Sequence, residues 1–111
     1  MGKPYRTMED MNNEQISKYQ VTVMFEMDDD FMGFVPAHRL YINSLIEKSV
    51  IDYYTVSMES QRSWMIVNAT NKEEVEHHLS KSPLYKYWTF DIDELFVYDG
   101  QSYRLPALQP N

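Results

Sequence analysis

The chain predicts an α+β fold in which one antiparallel four-stranded sheet carries two helices on one face. Three observations predict it. Four separate stretches are rich in β-branched and aromatic residues, the first and last of them alternating at period two, the mark of strands. Between them lie two stretches whose apolar residues recur at helical spacing. The composition, 43% hydrophobic and 24% charged over 111 residues, is that of one folded domain rather than of a disordered segment.

The elements follow in order. The opening MGKPYRTMEDMNNEQISK is polar and without sustained period, so residues 1–18 are read as a flexible arm preceding a single domain over 19–111. In YQVTVMFEM, from Tyr19, the residues Val21, Val23 and Phe25 point to one side and Thr22 and Met24 to the other, giving the first strand. The acidic run Asp28–Asp30 ends it in a turn. Phe34, His38, Tyr41 and Leu45, flanked by Ala37, Ile42 and Ile46, then predict a helix. Pro36 is placed in its first turn, where a missing N–H is harmless, and Lys48 near its end, where a cation suits the dipole.

VIDYYTVSM and SWMIVNA are rich in β-branched and aromatic residues and predict two strands. The short polar link from Glu59 to Arg62 makes them a hairpin. Thr70 followed by Glu73 has the spacing of a capping box and predicts a second helix from Thr70, with Val75 and Leu79 as its apolar stripe and Pro83 beyond its end. WTFDIDELFVY alternates through Phe90, Ile92 and Phe96 as a fourth strand, and QSYRL is read as a short return strand or tail after the turn Asp99-Gly100. Strand, helix, strand, strand, helix, strand is the split βαβ order of the ferredoxin-like fold. Apolar residues occur on both faces of these strands: Met24 beside Val23, Tyr53 beside Tyr54, Trp64 beside Met65. A sheet covered by helices on one side only leaves such a second face in water, so face-to-face pairing into a homodimer, a dimeric α+β barrel, is expected. The tail LPALQP would then lie across the partner subunit.

Composition also excludes function classes. With 17 acidic against 10 basic residues, a net charge of -7, the chain lacks the basic footprint that nucleic-acid or anionic-membrane binding needs. Cys 0 removes disulfides, thiol catalysis and cysteine-based zinc sites. No apolar run is long enough to span a bilayer, and the first residues lack the apolar core of a secretory signal, so a cytoplasmic protein is expected. No metal or other cofactor is expected. The three histidines, His38, His77 and His78, form no metal-ligand spacing, and Asp28–Asp30 lacks the glycine and distal Glu of a calcium loop. With Gly 3 there is no phosphate-cradling loop, and no G-x-S-x-G elbow occurs.

His38 is the residue with chemical promise. Its helical spacing puts it on or beside the face turned to the sheet, among aromatic residues. There it is either a general base titrating near neutral pH or a core-edge histidine bonded to a carbonyl or water. Tyr41, Tyr53, Tyr54 and Trp64 either line a pocket beside it or pack the core. A cavity of roughly 300 Å³ or more touching His38 would accompany chemistry; a solid interior would not.

The segment from Glu73 to Leu95 resembles the corresponding part of muconolactone isomerases, in which a helix ends in a Leu-Pro-Leu-Phe-Pro-Tyr-like stretch before a strand with a late Asp. Here the match reads Ser82-Pro83-Leu84-Tyr85-Lys86-Tyr87, then Asp93. The similarity extends over about residues 19–98 and implies a dimeric α+β barrel, often built into larger assemblies. The wider superfamily includes the YciI-like proteins, where a His on the first helix pairs with an Asp just before a Pro after the second. His38 looks like that His, and the Asp-Pro reads Ser82-Pro83. Where muconolactone isomerases carry a more acidic helix, this chain reads Ala37-His38-Arg39.

The resemblance implies an isomerase that moves a proton beside a carbonyl in a small organic acid or aromatic compound. His38 would serve as base, Arg39 or Arg62 would attract a carboxylate, and Tyr54 would donate to the enolate, with Tyr41 and Trp64 lining the pocket. Two alternatives stay open: a non-catalytic ligand-binding or assembly module, and a cofactor-independent monooxygenase gripping a flat aromatic substrate.

Overall fold

The computed structural model describes residues 15–100. Four strands, β1 (Ser17–Phe25), β2 (Ile51–Ser57), β3 (Arg62–Ala69) and β4 (Trp88–Glu94), form one antiparallel sheet in the order β2-β3-β1-β4. Helices α1 (Phe31–Glu47) and α2 (Lys72–Ser80) follow β1 and β3 and pack on the sheet. This is the ferredoxin-like βαββαβ arrangement the alternation predicts. QSYRL, the tail LPALQP and most of the opening arm lie outside the described residues.

The period-two pattern decides which side of the sheet is dry. Tyr19, Val21, Val23 and Phe25 are buried along β1, opposite Val67, Met65 and Ser63 of β3 and Glu94, Ile92, Phe90 and Trp88 of β4. With Ile42 and Leu45 of α1 and Val75 and Leu79 of α2 they make the main core. A smaller cluster of Phe25, Phe31 and Leu84 closes one end of it.

Local chemistry moves several boundaries away from the sequence expectation. Strand β1 begins at Ser17, so residues 17 and 18 belong to the sheet rather than to the arm; Lys18 stands opposite Asn68. Helix α1 begins at Phe31, three residues before Phe34. The Asp30 N–H donates to Asp28 Oδ1, an Asx turn that starts the helix early, and the Phe31 ring stacks on Phe25 at 5.3 Å. Pro36 therefore lies inside the helix and not in its first turn. It is tolerated on the water side: the carbonyl it leaves unbonded belongs to Met32, itself 60% exposed. The buried stripe is Phe31, His38, Ile42 and Leu45, while Phe34 and Tyr41 flank it and Ala37 and Ile46 face outward.

The C-terminus of α1 closes in a Schellman motif. The Ser49 N–H donates to the Ile46 carbonyl and the Val50 N–H to that of Leu45, with Ser49 left-handed at φ 63°. At α2 the cap is Asn71 rather than Thr70. Its side chain accepts from the Glu74 N–H at 2.8 Å, and the Glu74 carboxylate reaches back to the N–H and hydroxyl of Thr70. Strand β4 ends at Glu94, and Phe96 is fully exposed instead of alternating into the sheet.

Beyond β4 the chain turns over the sheet face without helices. The Leu95 N–H donates to the Lys18 carbonyl, and the segment from Leu95 to Gly100 crosses above Gln20, Ile66 and Tyr53. Ile66 is 1% exposed although it lies on that face. The other end of the face, around Met24 and Trp64, stays half-buried.

Candidate functional site

The site is assembled where α1, the β2–β3 hairpin and the turn after α2 meet. A bulge in β2 makes it possible. Ile51 stands opposite Val67 but Tyr53 opposite Ile66, so two residues of β2 advance against one of β3. Ile51 faces the helices, Tyr53 is turned to the other side, and Tyr54 is swung under α1. Without the extra residue, Tyr53 would take that place.

His38 is 2% exposed, and both its ring nitrogens are engaged. Nδ1 lies 2.7 Å from Ser82 Oγ and Nε2 lies 2.7 Å from the Tyr54 hydroxyl. Two hydroxyls around the ring are anchored to the backbone. The Leu84 N–H can only donate, and it donates to Ser82 Oγ at 3.0 Å. The Thr55 carbonyl can only accept, and it takes the Ser63 hydroxyl proton at 2.8 Å. In its neutral form the imidazole therefore holds a hydroxyl at each ring nitrogen, one nitrogen donating and the other accepting.

Burial favours that neutral form. Loss of hydration, helped by the nearby Arg39 charge, brings the His38 pKa down to about 4. Burial likewise raises the Tyr54 hydroxyl above its ordinary value, opposed by the Ser63 hydrogen bond and by Arg39. The imidazole meets the ring edge of Trp88 at 5.6 Å, so its surroundings are aromatic as well as polar.

A cavity of about 160 Å³ opens beside His38. Its walls are chiefly apolar, from Phe25, Phe31, Val35, Leu84 and Trp88, with Arg39 the one cation on it among the described residues. Met32, Val56 and Met58, each about half exposed or more, form its lip. The space is smaller than the pockets that enclose drug-sized ligands, and close to the size that holds one benzene molecule.

Of the six residues the sequence singles out, three come together: His38, Arg39 and Tyr54. Tyr41 is on the far side of α1's buried stripe, its hydroxyl donating to the His78 carbonyl at 2.6 Å, and so ties the two helices. Trp64 and Arg62 do not reach the cavity. Register places Trp64 opposite Thr22 and Thr55, and Arg62 opposite Met24 and Ser57, on the face of the sheet away from the helices. Ser82 occupies the position against His38 that the resemblance gives to an Asp, as a neutral partner. Ser63 and Trp88 were not singled out; Ser63 carries a readable signal, being the one polar residue at a core-facing position of β3.

Among the described residues no three His, Asp or Glu side chains converge to hold a metal ion, and no helix is long and apolar enough to cross a membrane. No protein-family model matches the chain, and no curated protein matches it either.

Proposed function

We propose that this chain is a ligand-binding module of the dimeric α+β barrel type, taking a small, flat, mainly apolar compound beside His38, rather than an isomerase that uses His38 as its base. The observation that carries this reading is the engagement of both imidazole nitrogens, each by a hydroxyl at 2.7 Å. A general base needs a free lone pair aimed at substrate and a pKa near the working pH. Nδ1 is occupied by Ser82, and a pKa of about 4 makes the imidazole a weak base. What supports a ligand is the apolar cavity of about 160 Å³, with Arg39 available for a carboxylate or other polar substituent left at the mouth.

Titration with toluene and with benzoate, followed by amide and indole NMR signals, tests it. Saturable shifts of Trp88 and Val35 are expected, and Val35→Phe should abolish them by filling the space. Absence of saturable binding by either probe overturns the reading. So does turnover of a cyclic carbonyl compound that wild type performs and His38→Gln does not.

Pairing of two copies belongs to the same proposal. Its support is the bare end of the open sheet face, where half-buried Met24 and Trp64 lie between the threonines at 22, 55 and 89. Sedimentation at micromolar concentration is expected to show a dimer that Trp64→Glu shifts to protomers. A wild-type protomer under those conditions removes the dimer from the proposal.

A further inference from the structure

On the side of the sheet opposite the His38 cavity, the segment from Leu95 to Gly100 arches over the strands and leaves a crevice of about 350 Å³ beneath it. Ile66 and Leu95 supply apolar surface, and Tyr53 and Tyr98 contribute two aromatic rings, 43% and 38% exposed, so both remain accessible from water. Gln20 and Asp99 are the other polar side chains that line it among the described residues, and none of those lining residues is a cation. Lys18, close by, is held by Asp52 at 2.7 Å and Asn68 at 2.8 Å, which spends its charge locally. Asp93 stands opposite Gln20 on the same face, and the whole chain carries a net charge of -7.

An anionic ligand is therefore repelled from this crevice, and a cation is drawn to it. The ring faces choose among cations. A tyrosine face attracts an ammonium through its quadrupole, most strongly when the ammonium is weakly hydrated. The protein already uses that interaction here: the Lys18 ammonium lies 4.9 Å from the centre of the Tyr98 ring. An inorganic cation would not use the apolar floor. An ammonium carrying alkyl groups uses the floor, the rings and the carboxylate together.

We propose that the crevice between the Leu95–Gly100 segment and the sheet is a binding site for a small alkylated ammonium compound, held by Tyr53, Tyr98 and Asp99. The site shares no residue with the cavity at His38 and stands or falls independently of it.

Titration of the full chain with tetramethylammonium chloride at constant ionic strength, followed by amide NMR, tests the proposal. tert-Butanol, similar in size and uncharged, is the comparator. The expected result is saturable shifts at Gln20, Ile66 and Leu95 to Gly100 with tetramethylammonium and none with the alcohol. Asp99→Asn and Tyr98→Leu should each weaken binding by about threefold or more. Asp99 is exposed, so its substitution leaves the core intact and keeps the test decisive even if Tyr98→Leu loosens the segment. Shifts that do not saturate, an equal response to tert-butanol, or unchanged affinity in Asp99→Asn overturn it.

Discussion

Replacing His38 with alanine is expected to destabilise the fold by about 2–4 kcal/mol. The side chain is 2% exposed and lies among aromatic rings, so its removal enlarges a cavity that the neighbours cannot collapse to fill. It also deprives the Ser82 and Tyr54 hydroxyls of the ring nitrogens they are bonded to. The loss is held below the top of the range for core deletions because Ser82 keeps the Leu84 N–H and because the adjacent 160 Å³ space can admit water. Ser82→Ala and Tyr54→Phe should each cost about 1–2 kcal/mol, and either combined with His38→Ala should cost less than the sum, since the three groups share one line of bonds. Urea unfolding of the four variants measures this. A loss under about 0.5 kcal/mol for His38→Ala would mean that the imidazole does not hold α1 to the sheet.

Acid should weaken the protein well above the pH at which its carboxylates protonate. His38 titrates at about 4 in the fold against 6.5 for an unburied histidine. Between those values the unfolded chain binds a proton that the folded chain refuses, so stability falls as pH falls. The slope is about 1.4 kcal/mol per pH unit, and the loss reaches about 3 kcal/mol when pH 4 is passed. Above pH 6.5 His38 contributes no pH dependence, and below 4 its loss is complete. His78, whose pKa is also lowered by burial, adds a slope of the same sign below pH 6.5. Glu74, held below its ordinary value by the Thr70 hydrogen bonds, loses its contribution only at more acid pH. Unfolding free energies measured from pH 7.5 to 3.5 for wild type and His38→Gln separate these terms. The variant should lose most of the slope between 6.5 and 4. Parallel curves would show that His38 is protonated in the folded chain at ordinary cost.

The two predictions rest on different amounts of sequence information. That His38 faces the sheet follows from its spacing to Leu45 and Ile42. That Arg39, next in sequence, stands at the edge of the same helix face follows too. Tyr54 was one of a Tyr-Tyr pair whose members must face opposite ways, and alternation from Ile51 would have chosen Tyr53. The bulge reverses the choice, and nothing in the apolar pattern marks it. Trp64 and Arg62 lie away from the His38 cavity for a related reason. Strand β3 offers Trp64 and Met65 to opposite faces, and the helix-covered side takes the more compact Met65, which is fully buried. The capping shift from Thr70 to Asn71 is equally a matter of choice between adjacent good caps, settled by which carboxylate, Glu73 or Glu74, can fold back on the preceding turn.

Local periodicity by itself determined the four strands, the two helices, their order and the dry side of the sheet, because alternation and helical spacing are properties of neighbouring residues. The tertiary structure alone decided what His38 touches: Ser82, 44 residues away, and Tyr54, 16 away across a bulge. It also decided that the chain after β4 lies over its own sheet, turning the supposedly bare face into a crevice at one end. Those outcomes depend on packing between distant segments and on the obligation of each buried polar group to find a partner, and no spacing along the chain records either.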